Sequence, residues 1–398
     1  MHADVDLVET SRAKRAPAPD RADLVTLTVS SELAEVEQGW RRLEDFGVES
    51  PGQNFDFIRS WTKATGLPRD RQVYLVAHAG ARPVALLALQ AVRRFGARVL
   101  TFIPGSHVGC NAPLIDTGWL ETLDADARKA LWRRVFRALP RADAVYLPAV
   151  PSRYLGKVEL FEGIGTTSGS DALYRSEFSS WAECDATMRK SKQRKRDRQQ
   201  GEKLEALGQI SYGTAQPHEY GDVLTTMFRQ KAERFAVLGI DDPFADPKIR
   251  AVFLDVIKTA ETLKPELFVL RLDGEIAAVR YGLGHGEKVF ALISAMSEDP
   301  LMQTGSPGRQ EIFRTVQSVF DRGYRMLDLG LSINDEKHSW CNRELTVRTH
   351  YFPRTPAGWL FMQAQRGLDR LKLEVKTDER LFGFYKRIRG VLPAALRT

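Results

Sequence analysis

The stretch VFALISAMSEDPLMQTGSPGRQEIFRTVQSVFDRGYRMLDLGL, residues 289–331, decides the fold. Val289–Met296 is an apolar run of strand length, and Arg309–Arg322 sets Ile312, Phe313, Val316, Val319 and Phe320 along one helical face. Arg325–Leu331 is a strand again. Just upstream, Leu267–Leu272 and Ile276–Leu283 flank Asp273-Gly274-Glu275, a hairpin signal. Antiparallel strands next to a strand, loop, helix and strand make this half α+β.

Reading outward, Gln209–Tyr212 is a short strand, Tyr220–Phe235 and Pro247–Leu263 are helices, and Leu345–Phe352 alternates as a last strand. The first half runs in the same order: strand Leu24–Val29, a helix from Ser30 or Ser31 to about Phe46, and a helix holding Phe55, Phe57, Ile58 and Trp61. Then come strands Val73–Ala79, Val84–Val92 and Arg98–Ile103, helix Ala125–Leu139 and strand Ala144–Ala149, which Pro148 demotes or places near an edge. The hairpins of the two halves align at a constant offset, Tyr74 on Phe268, Val76 on Leu270 and Gly80 on Gly274. The expectation is therefore two tandem α+β domains with mixed, mostly antiparallel sheets flanked by helices, rather than one large sheet. The predicted division is a flexible lead over 1–22, a first domain over 23–175, a basic helical connector over 176–208, a second domain over 209–356 and a helical extension over 357–398.

Composition agrees with a globular chain: of 398 residues, 43% are hydrophobic and 27% charged, which excludes disordered, collagenous and coiled-coil classes. No apolar run approaches the roughly 20 residues that span a bilayer. Cys110, Cys184 and Cys341 lie far apart without CxxC spacing, so neither a disulfide scaffold nor a thiolate zinc site is expected, and a cytoplasmic location is. The histidines show no paired ligand spacing, and no metal is expected. The net charge of +7 matters where it is concentrated. Residues 189–203 hold eight basic and two acidic side chains and no apolar one. Such a helix cannot pack an apolar face and reads as a solvated connector, or as a contact for an anionic partner.

Three features could carry chemistry. The helix opening after Ser306-Pro307-Gly308, with Arg309 and Gln310 in its first turn, reads as an ordinary helix start or as a phosphate site built from free N–H groups. Asp328 interrupts an apolar strand and must face solvent, a partner or a substrate. Asp335, Glu336, Lys337 and His338 open a short helix that ends on Trp340, where Asp335 serves equally as a cap.

Together the basic helix 189–208, the strand–SPG–helix unit and LDLGLSINDEKHSW resemble the GNAT acyltransferase superfamily, in its CelD/BcsL-like subgroup associated with cellulose and exopolysaccharide biosynthesis, over roughly residues 165–355. The first half resembles a second, degenerate GNAT-like domain, a tandem layout similar to that of Fem-type peptidyltransferases. The resemblance implies an acyl-CoA-dependent N- or O-acyltransferase whose acyl group lies between strands 289–296 and 325–331. It places the cofactor's phosphates on Ser306, Pro307, Gly308, Arg309 and Gln310, makes Asp328 the base with Lys337 assisting and Asp335 as a further catalytic candidate, and leaves Trp340 and Tyr281 to contact a small-molecule or saccharide acceptor. Against the family's Arg/Gln-x-x-Gly-x-Gly/Ala pattern, Gln303–Gly308 keeps the final glycine; Ser306 replaces the first, and Pro307 removes an N–H. The same resemblance leaves room for a Fem-like aminoacyl-tRNA-dependent transferase, with nucleic acid on the basic segment, and for a non-catalytic accessory protein.

Overall fold

The computed structural model describes residues 25–377, so the expected lead over 1–22 and residues 378–398 of the expected extension lie outside the described residues. The strands are β1 Val25–Ser30, β2 Gln72–Ala79, β3 Arg82–Arg94, β4 Ala97–Phe102, β5 Leu114–Ile115, β6 Ala144–Pro151, β7 Thr166–Glu177, β8 Ile210–Thr214, β9 Lys264–Leu272, β10 Glu275–His285, β11 Lys288–Met296, β12 Met326–Leu331 and β13 Arg343–Pro353. The helices are α1 Leu33–Glu44, α2 Phe55–Thr65, α3 Thr117–Glu121, α4 Ala125–Ala138, α5 Trp181–Met188 and α6 Ser191–Glu205, then α7 Tyr220–Leu238, α8 Pro247–Thr259, α9 Pro300–Thr304, α10 Pro307–Asp321, α11 Asp335–Trp340 and α12 Pro356–Thr377.

The fold is α+β, with a mostly antiparallel sheet flanked by helices, as the sequence pattern implies. The sheets of the two halves are nevertheless joined. One sheet runs β1-β2-β3-β4-β6-β13-β7-β12-β11-β10-β9-β8, with β5 attached to β3. Among the described residues only β4–β6 and β11–β12 pair in parallel, one such pair in each half. The join arises because the halves exchange their last strands. β13, from the end of the second half, lies between β6 and β7 of the first, and β7 pairs in turn with β12. Sequence reading misses β7 altogether, because TTSGSDALYRSE is polar and broken by Gly169.

Pro148 does not mark an edge, since β6 lies inside the sheet between β4 and β13. The register shifts between the pairs Leu147–His350 and Val150–Arg348, and Ala149 takes φ 56° there. The resulting bulge absorbs the missing donor of the proline. The β9–β10 hairpin turns through Asp273 (φ 49°) and Gly274 (φ 85°), the Asp-Gly pair favoured where both central residues take positive φ.

The principal core packs α1 and α2 of the first half with α7 and α8 of the second on one face of the sheet, centred on Trp40, Phe57, Phe253 and Tyr281. Here Asp56 accepts from the N–H groups of Glu261 and Thr262 at 2.8 and 3.0 Å, tying α2 to the loop after α8. On the opposite face α10 covers the second half with Ile312, Val316, Val319 and Phe320, and α4 covers the first half with Leu131, Trp132 and Val135.

α6 is docked rather than solvated all round. Asp197 is buried and accepts from Arg189 at 2.9 Å and from Arg309 at 2.6 Å. Its backbone carbonyl accepts from Gln310 Nε2 at 2.8 Å. Gly201 rests against Gln310, and Leu204 against Gly305. The absence of apolar residues over 189–203 is offset by ion pairing, which the composition alone does not reveal.

Candidate active site

β11 and β12 pair over only three positions, Lys288–Met326, Val289–Leu327 and Phe290–Asp328, and then diverge. β11 continues to Met296, so its remaining residues have no ladder partner on that side. At the divergence a bulge against β10 leaves Leu292 without a register partner, between the pairs Tyr281–Ile293 and Gly282–Ala291. Backbone groups left unpaired in this way can serve an oxygen that gains charge during reaction.

Two adjoining cavities occupy the opening. The inner one, about 200 Å3, is lined by Ile293, Leu329, Asn334 and Lys337 among others. The outer one, about 360 Å3, reaches Met296, Gly308, Arg309 and Trp340. Lys231, Arg280, Ser294 and Glu336 line both, which makes them one cleft.

The cleft's far end is the start of α10. Ser306 takes the left-handed conformation (φ 52°) and gives no side-chain cap. The N–H groups of Arg309 and Gln310 turn back to the Ser306 carbonyl, and Pro307 has none. Gly308 therefore presents the free N–H of this turn, which together with the helix dipole suits an anion. The side chains of Arg309 and Gln310 are engaged by α6, so what they contribute at the cleft is chiefly backbone and the field of a partly neutralised guanidinium. A Cβ on Gly308 would approach Met296 Sδ to 2.8 Å, so only glycine leaves this end of the cleft open without moving that side chain.

Arg280 crosses the middle of the cleft. It donates to Glu311 at 2.9–3.2 Å and to Glu336 at 3.0 Å through both terminal nitrogens. Arg280 and Glu311 are buried, whereas the Glu336 side chain keeps 27% exposure toward the cleft. Burial raises the pKa of Glu311, and Arg280 opposes that rise. Lys231, on α7, is pushed below the usual lysine value by burial and by the positive charges of Arg234 and Arg280, with Asp242 and Glu336 acting the other way. Gln230 is buried, donates to Ile276 O at 2.8 Å, and leaves Oε1 without a partner. Oε1 of Glu298, at the rim, is also unpartnered.

The structure places several sequence candidates at the cleft: Gly308, Arg309, Asp335 and Trp340 line the outer cavity, and Lys337 the inner one. Trp340 stacks on Phe313 with ring centroids 6.3 Å apart, and Lys337 donates to the carbonyls of Leu331 and Ser332, holding the loop before α11. Burial lowers the Lys337 pKa. Asp328 and Tyr281 lie elsewhere. Asp328 stands beside the vertex of the opening and faces the first half. It accepts from Arg175 at 2.8 Å and from Gly330 N–H at 2.8 Å, while Arg175 also pairs with Glu49 at 2.7 Å. Burial raises the Asp328 pKa against the pull of Arg175. Tyr281 is fully buried, its hydroxyl donating to Phe253 O at 2.9 Å, because strand alternation puts it on the face opposite Arg280. Lys231, Gln230, Arg280 and Glu311 were not singled out from the sequence. Arg280, between Val279 and Tyr281, carries the same signal as Asp328, a charge inside an apolar strand.

The equivalent opening of the first half is closed. β4 and β6 pair at Val99–Ala144 and Leu100–Val145. The segment leading to β5 crosses beyond them, with Asn111 N–H bonded to Ala149 O at 3.0 Å and β5 paired to β3. The start of α4 is capped by its own carboxylate, since Asp124 accepts from Ala127 N–H at 2.8 Å. A negative charge already occupies the position a phosphate would take.

No curated protein matches the chain in sequence. Among solved structures, the C-terminal DUF2156 domain of a putative lysylphosphatidylglycerol synthetase from Agrobacterium fabrum shares the fold, with a TM-score of 0.52 at 11% identity over 84% of this chain and 97% of that one. FemX gives 0.46 at 10% identity over 72% and 90% of the two chains. A tandem GNAT protein from the clavulanic acid biosynthesis pathway gives 0.40 at 11% identity over 83% and 99%. Residues 191–338, the region that holds the open cleft, match the model of the acetyltransferase (GNAT) domain.

Proposed function

We propose that the protein is an acyl-CoA-dependent N- or O-acyltransferase with one working cleft, in its second half. The observation that carries this reading is the divergence of β11 and β12 after Phe290–Asp328, with a cleft running from there to the uncapped start of α10. The filled opening and capped helix of the first half support a single site. Acyl-CoA fits the residues present: Gly308 and the first turn of α10 would hold its phosphates, and the unpaired edge of β11 would align its pantetheine arm. Bound there, acyl-CoA supplies an activated acyl group.

The chain's own residues would do the rest. Lys231, whose pKa burial lowers, would take the proton from the attacking amine or hydroxyl and return it to the CoA thiolate that departs as the carbonyl carbon–sulfur bond breaks. The backbone at Leu292, which has no register partner, would supply an N–H to the developing oxyanion. Arg280, clamped by Glu311 and Glu336, fixes the wall between acyl and acceptor ends. Gln230 Oε1, Glu298, Asp335 and Glu336 offer acceptors for donors on the incoming molecule, which suits a hydroxyl- or amine-rich acceptor such as a sugar or polysaccharide precursor. This agrees with the CelD/BcsL-like resemblance.

The test is a thermal-shift screen of the full chain against a panel of acyl-CoAs, followed by acceptor screening with the best of them. Saturable stabilisation by an acyl-CoA, lost when Lys231 and Gly308 are replaced by bulky apolar residues, is the expected result. Stabilisation by none, with salt-sensitive tRNA binding instead, would overturn the reading in favour of an aminoacyl-tRNA-dependent transferase.

A further inference from the structure

Asp143, in the turn before β6, ties the start of β4 and the segment leading into α12 to its own turn. Its carboxylate accepts from Arg98 N–H at 2.8 Å and from the Thr355 hydroxyl at 2.7 Å. Its N–H donates to Arg98 O at 2.7 Å, and its carbonyl accepts from Arg354 N–H at 2.8 Å. Gly358, in the first turn of α12, is pressed onto that carbonyl so closely that a Cβ would run into it. The start of β4, this turn and the start of α12 are thereby fixed as one edge.

Three large apolar side chains leave this edge for solvent: Phe95 at 60% exposure, Trp359 at 51% and Leu360 at 63%. Phe95 lies 6.3 Å from Phe361, which is buried beneath it. A single exposed apolar residue is unremarkable, but a fixed group that includes tryptophan is an interface signature. The same segments carry five exposed arginines, Arg93, Arg94, Arg98, Arg141 and Arg354, of which Arg354 donates to the carbonyls of Leu139 and Pro140 and Arg94 lies over the Tyr146 ring. Arg98, Arg141 and Arg354 line one surface depression. The clamp's own acid, Asp143, is engaged in hydrogen bonds, and α12 carries no acid from Pro356 to Leu368.

We propose that this edge docks the protein on a bilayer surface containing anionic phospholipid. Trp359, Leu360 and Phe95 enter the boundary between headgroups and acyl chains, and Arg93, Arg98 and Arg141 pair with lipid phosphates. Stable interfacial binding takes both an apolar insertion and a basic patch, and both are present on one rigid edge. Tryptophan suits a boundary that is apolar on one side and wet on the other, and guanidinium matches phosphate in a bidentate manner. A nucleic acid would satisfy the arginines but would give Leu360 nothing to bury against. The inference is independent of the chemistry of the cleft.

The experiment is co-sedimentation of the full chain with vesicles of phosphatidylcholine alone and of phosphatidylcholine mixed with phosphatidylglycerol. Expected is binding to the mixed vesicles about tenfold tighter than to the neutral ones, weakening with salt. The double variant Trp359→Asp/Leu360→Asp should lose about tenfold in binding, and Arg98→Glu/Arg141→Glu should abolish the preference for phosphatidylglycerol, both with unchanged circular dichroism and melting because the side chains are exposed. Absent or lipid-indifferent binding, or binding untouched by either variant, would overturn the proposal. Salt-sensitive tRNA binding that the arginine variant removes, without vesicle binding, would assign the edge to nucleic acid.

Discussion

The sulfur of Met296, at the end of β11, lies 2.8 Å from the point where a Cβ on Gly308 would stand. The two residues line the outer cleft together, so a substitution at 308 acts through a flexible neighbour before it acts on the fold. Gly308→Ala should push Met296 into the space of the cofactor and weaken acyl-CoA binding by about tenfold, roughly 1.4 kcal/mol, with a small change in melting temperature. Met296→Ala in the same chain should restore most of that binding. Calorimetric titration of the four proteins of this cycle measures the coupling. Equal losses with and without Met296 would remove the contact from the explanation.

Arg280 is held by one buried and one half-exposed carboxylate, and the two should separate stability from activity. Arg280→Met leaves Glu311 buried without its cation and should cost about 3–5 kcal/mol in urea unfolding. Glu336→Gln retains a hydrogen-bond acceptor at a wetter position and should cost at most about 1 kcal/mol. It should nevertheless lower turnover, because it removes a charge from the wall that faces the acceptor. A large stability loss in Glu336→Gln would show that all three charges form one structural unit.

Much of this layout is legible in the chain itself. The apolar run 289–296, the helical period of 309–322 and the Asp273-Gly274 turn each specify their element locally, because strand and helix periods differ and the turn chemistry is specific. What escapes is non-local. β7 has too few apolar residues to announce itself, and it becomes a strand by filling the place between β12 and β13. Asp197 looks like one charge among many on α6; only the folded chain brings Arg189 and Arg309 to it. In the same way Asp328 and Arg280 share a signal, a charge within an apolar strand. Their different faces of the sheet send one to Arg175 and the other into the cleft.

Asp328 and Arg175 are joined at 2.8 Å, with Glu49 on the other side of the guanidinium. Removing the arginine leaves two buried carboxylates facing each other, and Arg175→Met should cost about 3–5 kcal/mol. Asp328→Asn keeps the shape and one charged partner for Arg175, and should cost about 1–3 kcal/mol. Turnover per folded molecule in Asp328→Asn should change less than about threefold, since the carboxylate does not line the cleft. A hundredfold loss of turnover with an undiminished melting temperature would instead return Asp328 to the role of base that the family resemblance gives it.

His350, on β13, supplies a stability signal set by pH. It is buried, with Nδ1 unpartnered, and sits edge-on to Phe161 at 5.1 Å. Burial, helped by Arg348, lowers its pKa from 6.5 to about 4. The folded chain therefore disfavours the imidazolium, and the unfolded chain takes up the proton first. Between about pH 6.5 and 4 the unfolded state binds more protons, so the contribution is fully present above the upper value and is lost as pH falls through the window. The full shift corresponds to about 3 kcal/mol as an upper bound. Glu44, raised to about 7 mainly by burial, acts in the opposite sense over part of the same range, so the wild-type curve alone does not isolate the histidine. His350→Phe keeps a ring against Phe161 and removes the proton. The stability difference between wild type and His350→Phe, measured by urea unfolding at several pH values, should move against the wild type by about 2–3 kcal/mol from pH 7 to pH 4. A difference that stays constant across that range would show that His350 titrates alike in both states and reaches solvent in the folded one.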